Sequence, residues 1–257
     1  MKADDHELAA RLADEAGRCL LELRARRRSE VDGKVLGDEG DAAAHELLLA
    51  ALAEQRPQDA VLSEHGTAGP KRSGGGRVWI VDPLDGTREF SEPDRPDWAV
   101  HVALAAEHQV RAAAVALPAA GLVLGTGSPP RVPAAHGGPP RIAVSRSRPP
   151  EFVAAVAAAL GAETVPMGSA GAKISAVVRG EVDAYLHAGG QYEWDSAAPI
   201  GVARAAGLHT SRLDGSPLVY DRPDPWLPDL LVCRPELAEP LLAAVAAAPG
   251  TPPEGSS

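Results

Sequence analysis

The stretch VWIVDPLDGTREF, residues 78–90, opens with four apolar residues in a row and closes in a tight acidic turn. An apolar run of this kind suits a strand buried on both faces, and it carries Asp82 to the strand's end. Pro83 fixes φ near about −65° and cannot continue a hydrogen-bonded ladder, so the chain turns before Asp85, Gly86 and Thr87. Two carboxylates then share one turn, and the Leu84 carbonyl can face whatever they bind. Such an oxygen set suits a hard cation like Mg²⁺, held at about 2.0–2.1 Å with waters and phosphate oxygens completing its shell. Gly86 lets backbone approach an anion closely, and Thr87 adds a hydroxyl. An ordinary surface turn has the same letters, so the segment alone leaves both readings open.

Upstream of it, Leu8, Leu12, Cys19, Leu20 and Leu23 recur at helical spacing and predict an amphipathic helix over 4–28. Gly33 and Gly37 are expected to break it. A second helix is expected to begin near Asp41, where an aspartate also serves as a cap, and to run through Leu52. Residues 60–62 and 77–81 read as short strands that each end in acids, with a mobile Gly/Lys/Arg/Ser loop over 66–76 between them. Strands at 98–105, 110–117 and 121–125 suit an antiparallel meander. The run SPPRVPAAHGGPP, from residue 128, holds neither helix nor central strand and marks a boundary. Beyond it the pattern predicts strands at 141–144 and 182–187, short strands near 208–220 and 229–233, and helices at 151–160, about 170–179, 196–206 and 236–247. The division expected is an N-terminal α+β part at 1–135, a C-terminal α/β part at 136–248 and a flexible tail at 249–257.

The 257 residues carry 25 Lys+Arg against 35 Asp+Glu, a net charge of −10, with no basic tract to meet nucleic acid or an anionic membrane. An anionic ligand would need positive charge supplied locally. No apolar run reaches the roughly 20 residues of a membrane span, and the acidic start lacks a secretory signal, so a cytoplasmic protein is expected. Cys19 and Cys233 are read as two buried thiols, without a disulfide or zinc cluster. Trp79 and Trp98 read as core, and His6, His101 and His187 as ordinary surface or satisfied core residues. Tyr192 and Trp194 either border a ligand or only pack.

Glu64 follows one of the predicted strands, and Asp195 stands at a predicted helix start in YEWDSAAP. Four carboxylates brought together repel one another unless divalent cations compensate them. Taken together and in this order, LSEHG (62–66), VDPLDGTREF (81–90) and EWDSAAP (193–199) resemble the inositol monophosphatase superfamily of metal-dependent, lithium-sensitive phosphatases. The resemblance runs from the first helix pair to about residue 233. Arg88-Glu89-Phe90, the GSAGAK run at 168–173 and the YEWDSAAP wording are similar to its 3′(2′),5′-bisphosphate nucleotidase branch.

The resemblance implies an αβαβα layered sandwich with the site between its two parts. It implies two Mg²⁺, with a third held more weakly: one on Glu64, Asp82 and the Leu84 carbonyl, the second on Asp82, Asp85 and Asp195. Asp41, Glu64 and Thr87 would orient the attacking water. Leu84, Asp85, Gly86, Thr87, Arg88, Ser169, Lys173 and Asp195 would contact substrate, with Ser169 bonding phosphate at a helix start and Lys173 neutralising it. The reaction implied is removal of the 3′-phosphate of adenosine 3′,5′-bisphosphate, extending to 3′-phosphoadenylyl sulfate, in sulfur assimilation. Inositol 1-phosphate and fructose 1,6-bisphosphate are the alternative substrates of the same superfamily, and a non-catalytic phosphometabolite-binding protein is the alternative of another class. The partner expected is a small nucleotide or sugar phosphate, with no nucleic acid and no membrane, and a homodimer is left open. Two departures stand out: Asp38-Glu39-Gly40 occupies the place where relatives commonly carry a Thr before the residue matching Asp41, and His65 stands where a second Glu is common.

Overall fold

The computed structural model describes residues 4–72 and 74–249; apart from Pro249, the expected tail lies outside them. Helix α1 (Asp5–Arg27) is capped by Asp4, whose side chain accepts the Glu7 N–H, and its Leu8, Leu12 and Leu20 face inward with no exposed surface. Each such side chain contributes roughly 1.5–3 kcal/mol by leaving water, which docks the amphipathic face.

Helix α2 (Gly33–Gln55) begins well before Asp41: Asp32 is the cap, accepting the Val35 N–H at 2.9 Å. Gly33 and Gly37 thus lie inside the helix, against expectation. The reason is tertiary, since a Cβ on Gly37 would stand 2.6 Å from Thr87 Cγ2 and one on Gly40 2.8 Å from the Phe90 ring. These glycines let α2 press against α3 (Thr87–Ser91), the short helix that leaves the acidic turn.

Strands β1 (Ala60–Ser63), β2 (Gly66–Ala68), β3 (Val78–Asp85), β4 (Ala99–Ala106), β5 (Gln109–Leu117) and β6 (Leu122–Gly125) form one sheet in the order β2-β1-β3-β4-β5-β6. Only β1 and β3 pair in parallel within it. The expected loop at 66–76 therefore starts as a strand, and its far end is pinned: Arg72 Nε and the Gly75 N–H each donate to the buried Asp221 carboxylate at 2.9 Å. A free loop is ruled out at both contacts.

After residues 129–140, which carry no helix or strand, come β7 (Arg141–Ser145), α4 (Glu151–Leu160), β8 (Glu163–Met167), α5 (Ala170–Val178), β9 (Ala184–Tyr192), α6 (Glu193–Ala205), β10 (His209–Ser211), β11 (Trp226–Cys233) and α7 (Ala238–Ala247). The second sheet is ordered β10-β11-β9-β7-β8. Strand β8 was not anticipated, since its polar, exposed edge gives no apolar run, and β9 extends five residues past the expected end into the helix that carries Asp195. No strand runs through 212–225, and β11 begins three residues early.

Packing gives the layers. Trp79, Val81, Val100 and Val102 meet α1 and α2 on one face of the first sheet, while Val78, Ile80, Ala113 and Val115 meet Ile174, Val177, Ala198 and Ile200 of α5 and α6 on the other. Those helices also cover Tyr185, Leu230 and Val232 of the second sheet, whose opposite face packs Ile142, Leu186 and Leu231 against Phe152, Val156, Leu241 and Val245 of α4 and α7. The succession is α-β-α-β-α, as the resemblance implied. Among the described residues, no helix is long and apolar enough to cross a membrane. Cys233 is buried as expected, whereas Cys19 is only half-buried on α1.

Candidate active site

Because β1 and β3 run in parallel with Ser63 opposite Val81, the residues that follow, Glu64 and Asp82, emerge at the same end of the sheet. The β3–β4 ladder then slips between Asp82 and Asp85, as a strand with proline in it must, and the bulge turns both carboxylates to one side. Asp82 and Asp85 are buried, with 4% and 8% of their surface exposed. Gly86 completes the turn at φ 90°, a conformation that favours glycine, and Thr87 Oγ1 donates to the Leu84 carbonyl at 3.2 Å. Asp195 arrives from the first turn of α6, which follows β9 of the other sheet. That helix starts three residues earlier than expected, so Asp195 lies inside the turn and accepts the Tyr192 N–H at 2.6 Å.

Carboxylate oxygens of Asp82, Asp85 and Asp195 all lie within 4.8 Å of one another, and ligand atoms of Asp41, Glu64 and His65 form a second group of the same size. At an effective dielectric of about 20, two full charges at that spacing repel by about 3 kcal/mol. The protonation equilibria answer accordingly. Burial, and then the charges of Asp85, Asp195 and Glu64, push the Asp82 carboxyl well above the usual carboxylate range. Burial and the charges of Asp41, Asp195 and Asp85 raise Glu64 to about 7. Burial and the Asp85 charge raise Asp195 to about 7, against the Tyr192 N–H, which lowers it. The Asp82, Asp85 and Asp195 carboxylate oxygens, pressed together against their own repulsion, fit a hard divalent cation.

Asp85 is fixed by the N-terminus of α5: Ser169 Oγ donates to Oδ2 at 2.6 Å, the Gly171 N–H to Oδ2 at 2.5 Å and the Ala170 N–H to Oδ1 at 3.2 Å. Ser169 Oγ also accepts the Ala172 N–H, so the hydroxyl expected on phosphate is engaged by a carboxylate and a cap. Lys173 likewise turns inward. It is 5% exposed, its Nζ donates to the Gly168 and Ser169 carbonyls at 2.6 and 2.7 Å, and it stands over the Tyr185 ring. Burial lowers its pKa, against nearby carboxylates that raise it, Asp85 foremost. Arg88 is exposed and pairs with Glu92. Asp41 Oδ2 lies 2.7 Å from His65 Nε2, and the His65 ring packs on His45, one turn along α2.

His101, expected to be unremarkable, is fully buried in the site: Nδ1 bonds the Trp194 carbonyl at 3.0 Å and Nε2 lies 3.3 Å from Asp85 Oδ2. It ties β4 to the residue before Asp195. Its strand alternation was visible in sequence, but its partners at 85 and 194 were not. Glu193, also missed, is 1% exposed and accepts the Asp221 and Arg222 N–H groups, anchoring the start of α6. His6 bonds Thr126 and His187 bonds the Gly190 carbonyl, as satisfied residues should. Trp79 and Trp98 are core. Tyr192 is exposed and stacks on Trp194 at 4.7 Å between ring centres.

The sequence matches the model of the inositol monophosphatase family over residues 3–129 and 139–248. It is 53% identical over 240 residues to the 3′-phosphoadenosine 5′-phosphate phosphatase of Mycobacterium bovis, covering 90% of each chain. It is 51% identical over 253 residues to the protein of that name from Mycobacterium leprae, covering 94% and 93%. Among solved structures it superposes on Mycobacterium tuberculosis SuhB with TM-score 0.71 and 26% identity, covering 96% of this chain and 97% of the other. Inositol monophosphatase II of Staphylococcus aureus gives TM-score 0.76 at 22% identity over 91% and 93%, a likeness of fold. The layered architecture, the acidic cluster and these matches agree: the chain belongs to the inositol monophosphatase family.

Proposed function

We infer that the protein is a Mg²⁺-dependent phosphomonoesterase that removes the 3′-phosphate of adenosine 3′,5′-bisphosphate, releasing AMP and inorganic phosphate, and that also accepts 3′-phosphoadenylyl sulfate. The observation that carries the reading is the convergence of Asp82 and Asp85 of β3 and Asp195 of α6 onto one point, with Glu64, grouped with Asp41 and His65, near enough for its charge to act on Asp82. The substrate is suggested by the relatives at 53% and 51% identity, named for that phosphatase. Glu64, Asp82 and the Leu84 carbonyl would hold one Mg²⁺, and Asp82, Asp85 and Asp195 the other, with a weaker third position at Asp41 and Glu64. When bound, such ions stabilise charge on the phosphoryl oxygens and supply a nucleophilic water at neutral pH.

This chain's own groups do the rest. The Gly86 turn brings backbone to the phosphate, the Thr87 hydroxyl borders it, and Asp41 with Glu64 orients the water. Residues 1–135 supply most of the cation-holding groups, and 136–248 supply Asp195 and the nucleotide side. The test is phosphate release at saturating Mg²⁺ from the nucleotide, inositol 1-phosphate and fructose 1,6-bisphosphate, side by side. The nucleotide should give the highest kcat/KM. A higher value for either sugar phosphate reverses the substrate assignment, and tight nucleotide binding without release from any of the three makes the protein a binder.

A further inference from the structure

A cleft of about 480 Å³ opens beside the acidic turn, lined by Gly86 and Thr87, by Ser169, the cap of α5, by Ser145 at the end of β7, and by Ser147 and Arg148 from the loop after it. That volume is in the range of ligand sites, roughly 300–1,000 Å³. A net charge of −10 works against any anionic substrate, so the cations of this cleft matter. Most are already engaged. Lys173 donates to two loop carbonyls, Arg88 pairs with Glu92, and neighbouring Arg146 is held by Glu89 and Glu92 at 2.6 and 2.7 Å. The α5 N–H groups are taken by Asp85 and by Ser169 Oγ. Arg148 differs: it is exposed, and among the described residues its guanidinium has no acidic partner, while its backbone N–H is anchored on Ser145 Oγ at 3.2 Å. Ser147, one residue earlier, lines the same cleft, its Oγ 3.5 Å from Ser145 Oγ.

Resting on the substrate reading above, we propose that Arg148, assisted by the Ser147 hydroxyl, receives the second, non-reacting phosphate of the nucleotide. The reacting phosphate sits at Gly86 and Thr87, and the other phosphate meets the planar guanidinium across the sugar, where two parallel N–H donors suit it. The enzyme thereby selects bisphosphates over monophosphates by an arginine that, among the described residues, has no acidic partner, the cleft's Glu89 being held by Arg146.

The full chain with Mg²⁺ is assayed on adenosine 3′,5′-bisphosphate and on 3′-AMP, which keeps the reacting ester and lacks the second phosphate. The wild type should favour the bisphosphate. Arg148→Ala should lower the ratio of the two kcat/KM values about tenfold, chiefly through KM for the bisphosphate, and Arg148→Lys should recover part of it. An unchanged ratio in Arg148→Ala, whether both substrates suffer equally or neither does, overturns the proposal, as does a wild type indifferent to the second phosphate. A wild type that prefers inositol 1-phosphate to both nucleotides instead overturns the substrate reading beneath it.

Discussion

Asp82 is where burial and charge oppose each other most strongly, since its carboxyl is nearly enclosed and faces Asp85, Asp195 and Glu64. Replacing it by asparagine keeps the shape and removes a charge needed by both proposed cations. Asp82→Asn should lose at least about a thousandfold in kcat, yet without Mg²⁺ it should unfold no more readily than wild type, because a repelling buried acid is gone. Near-normal turnover would contradict the two-cation assignment. Ser169 separates two roles on one hydroxyl. Its bond to Asp85 predicts that Ser169→Ala raises the Mg²⁺ concentration for half-activation severalfold and costs about 1 kcal/mol of stability through the lost cap; a change in nucleotide KM alone would return the hydroxyl to the phosphate. The clustered acids were legible because each ended a recognisable apolar segment or stood in a motif. His101 was not, because its Trp194 partner lies 93 residues away, and the inward turn of Lys173 onto the Gly168 and Ser169 carbonyls was not, because side-chain direction leaves no trace in the pattern of residues.

At the level of elements, α2 meeting α3 shows what local pattern misses. Gly37 read as a breaker because glycine costs a helix roughly 0.5–1 kcal/mol against alanine. Here the helix accepts that cost to bring its backbone against Thr87 and Ser91. Gly37→Ala should therefore lower Tm and kcat together, as overpacking of about 1–3 kcal/mol outweighs the gain in propensity and displaces Thr87. A raised Tm with full activity would mean the contact is slack. The meander of β4, β5 and β6 was readable from apolar runs and short breaks, whereas the exposed β8 and the pinning of the 66–76 loop by Asp221 depend on distant pairing.

Across the whole molecule, carboxyls of Glu64, Asp82 and Asp195 hold their protons in the folded state to higher pH than they would unfolded. Between the ordinary carboxylate range near about 4 and the folded values of about 7, the native state binds more protons, so stability of the metal-free protein falls as pH rises through that window. Divalent cations displace those protons, and the Tm gain on adding Mg²⁺ should be larger at pH 8 than at pH 5, read by thermal denaturation. An equal gain at both would dissociate the carboxyls from the cation. The layered order itself was readable only through the family resemblance, because which sheet faces which helix pair is decided by packing between distant segments. The most direct test is anomalous diffraction from crystals soaked in Mn²⁺ as a stand-in for Mg²⁺. Two peaks are expected, one touching Glu64, Asp82 and the Leu84 carbonyl and one touching Asp82, Asp85 and Asp195; no peak at Asp82 would contradict the central claim.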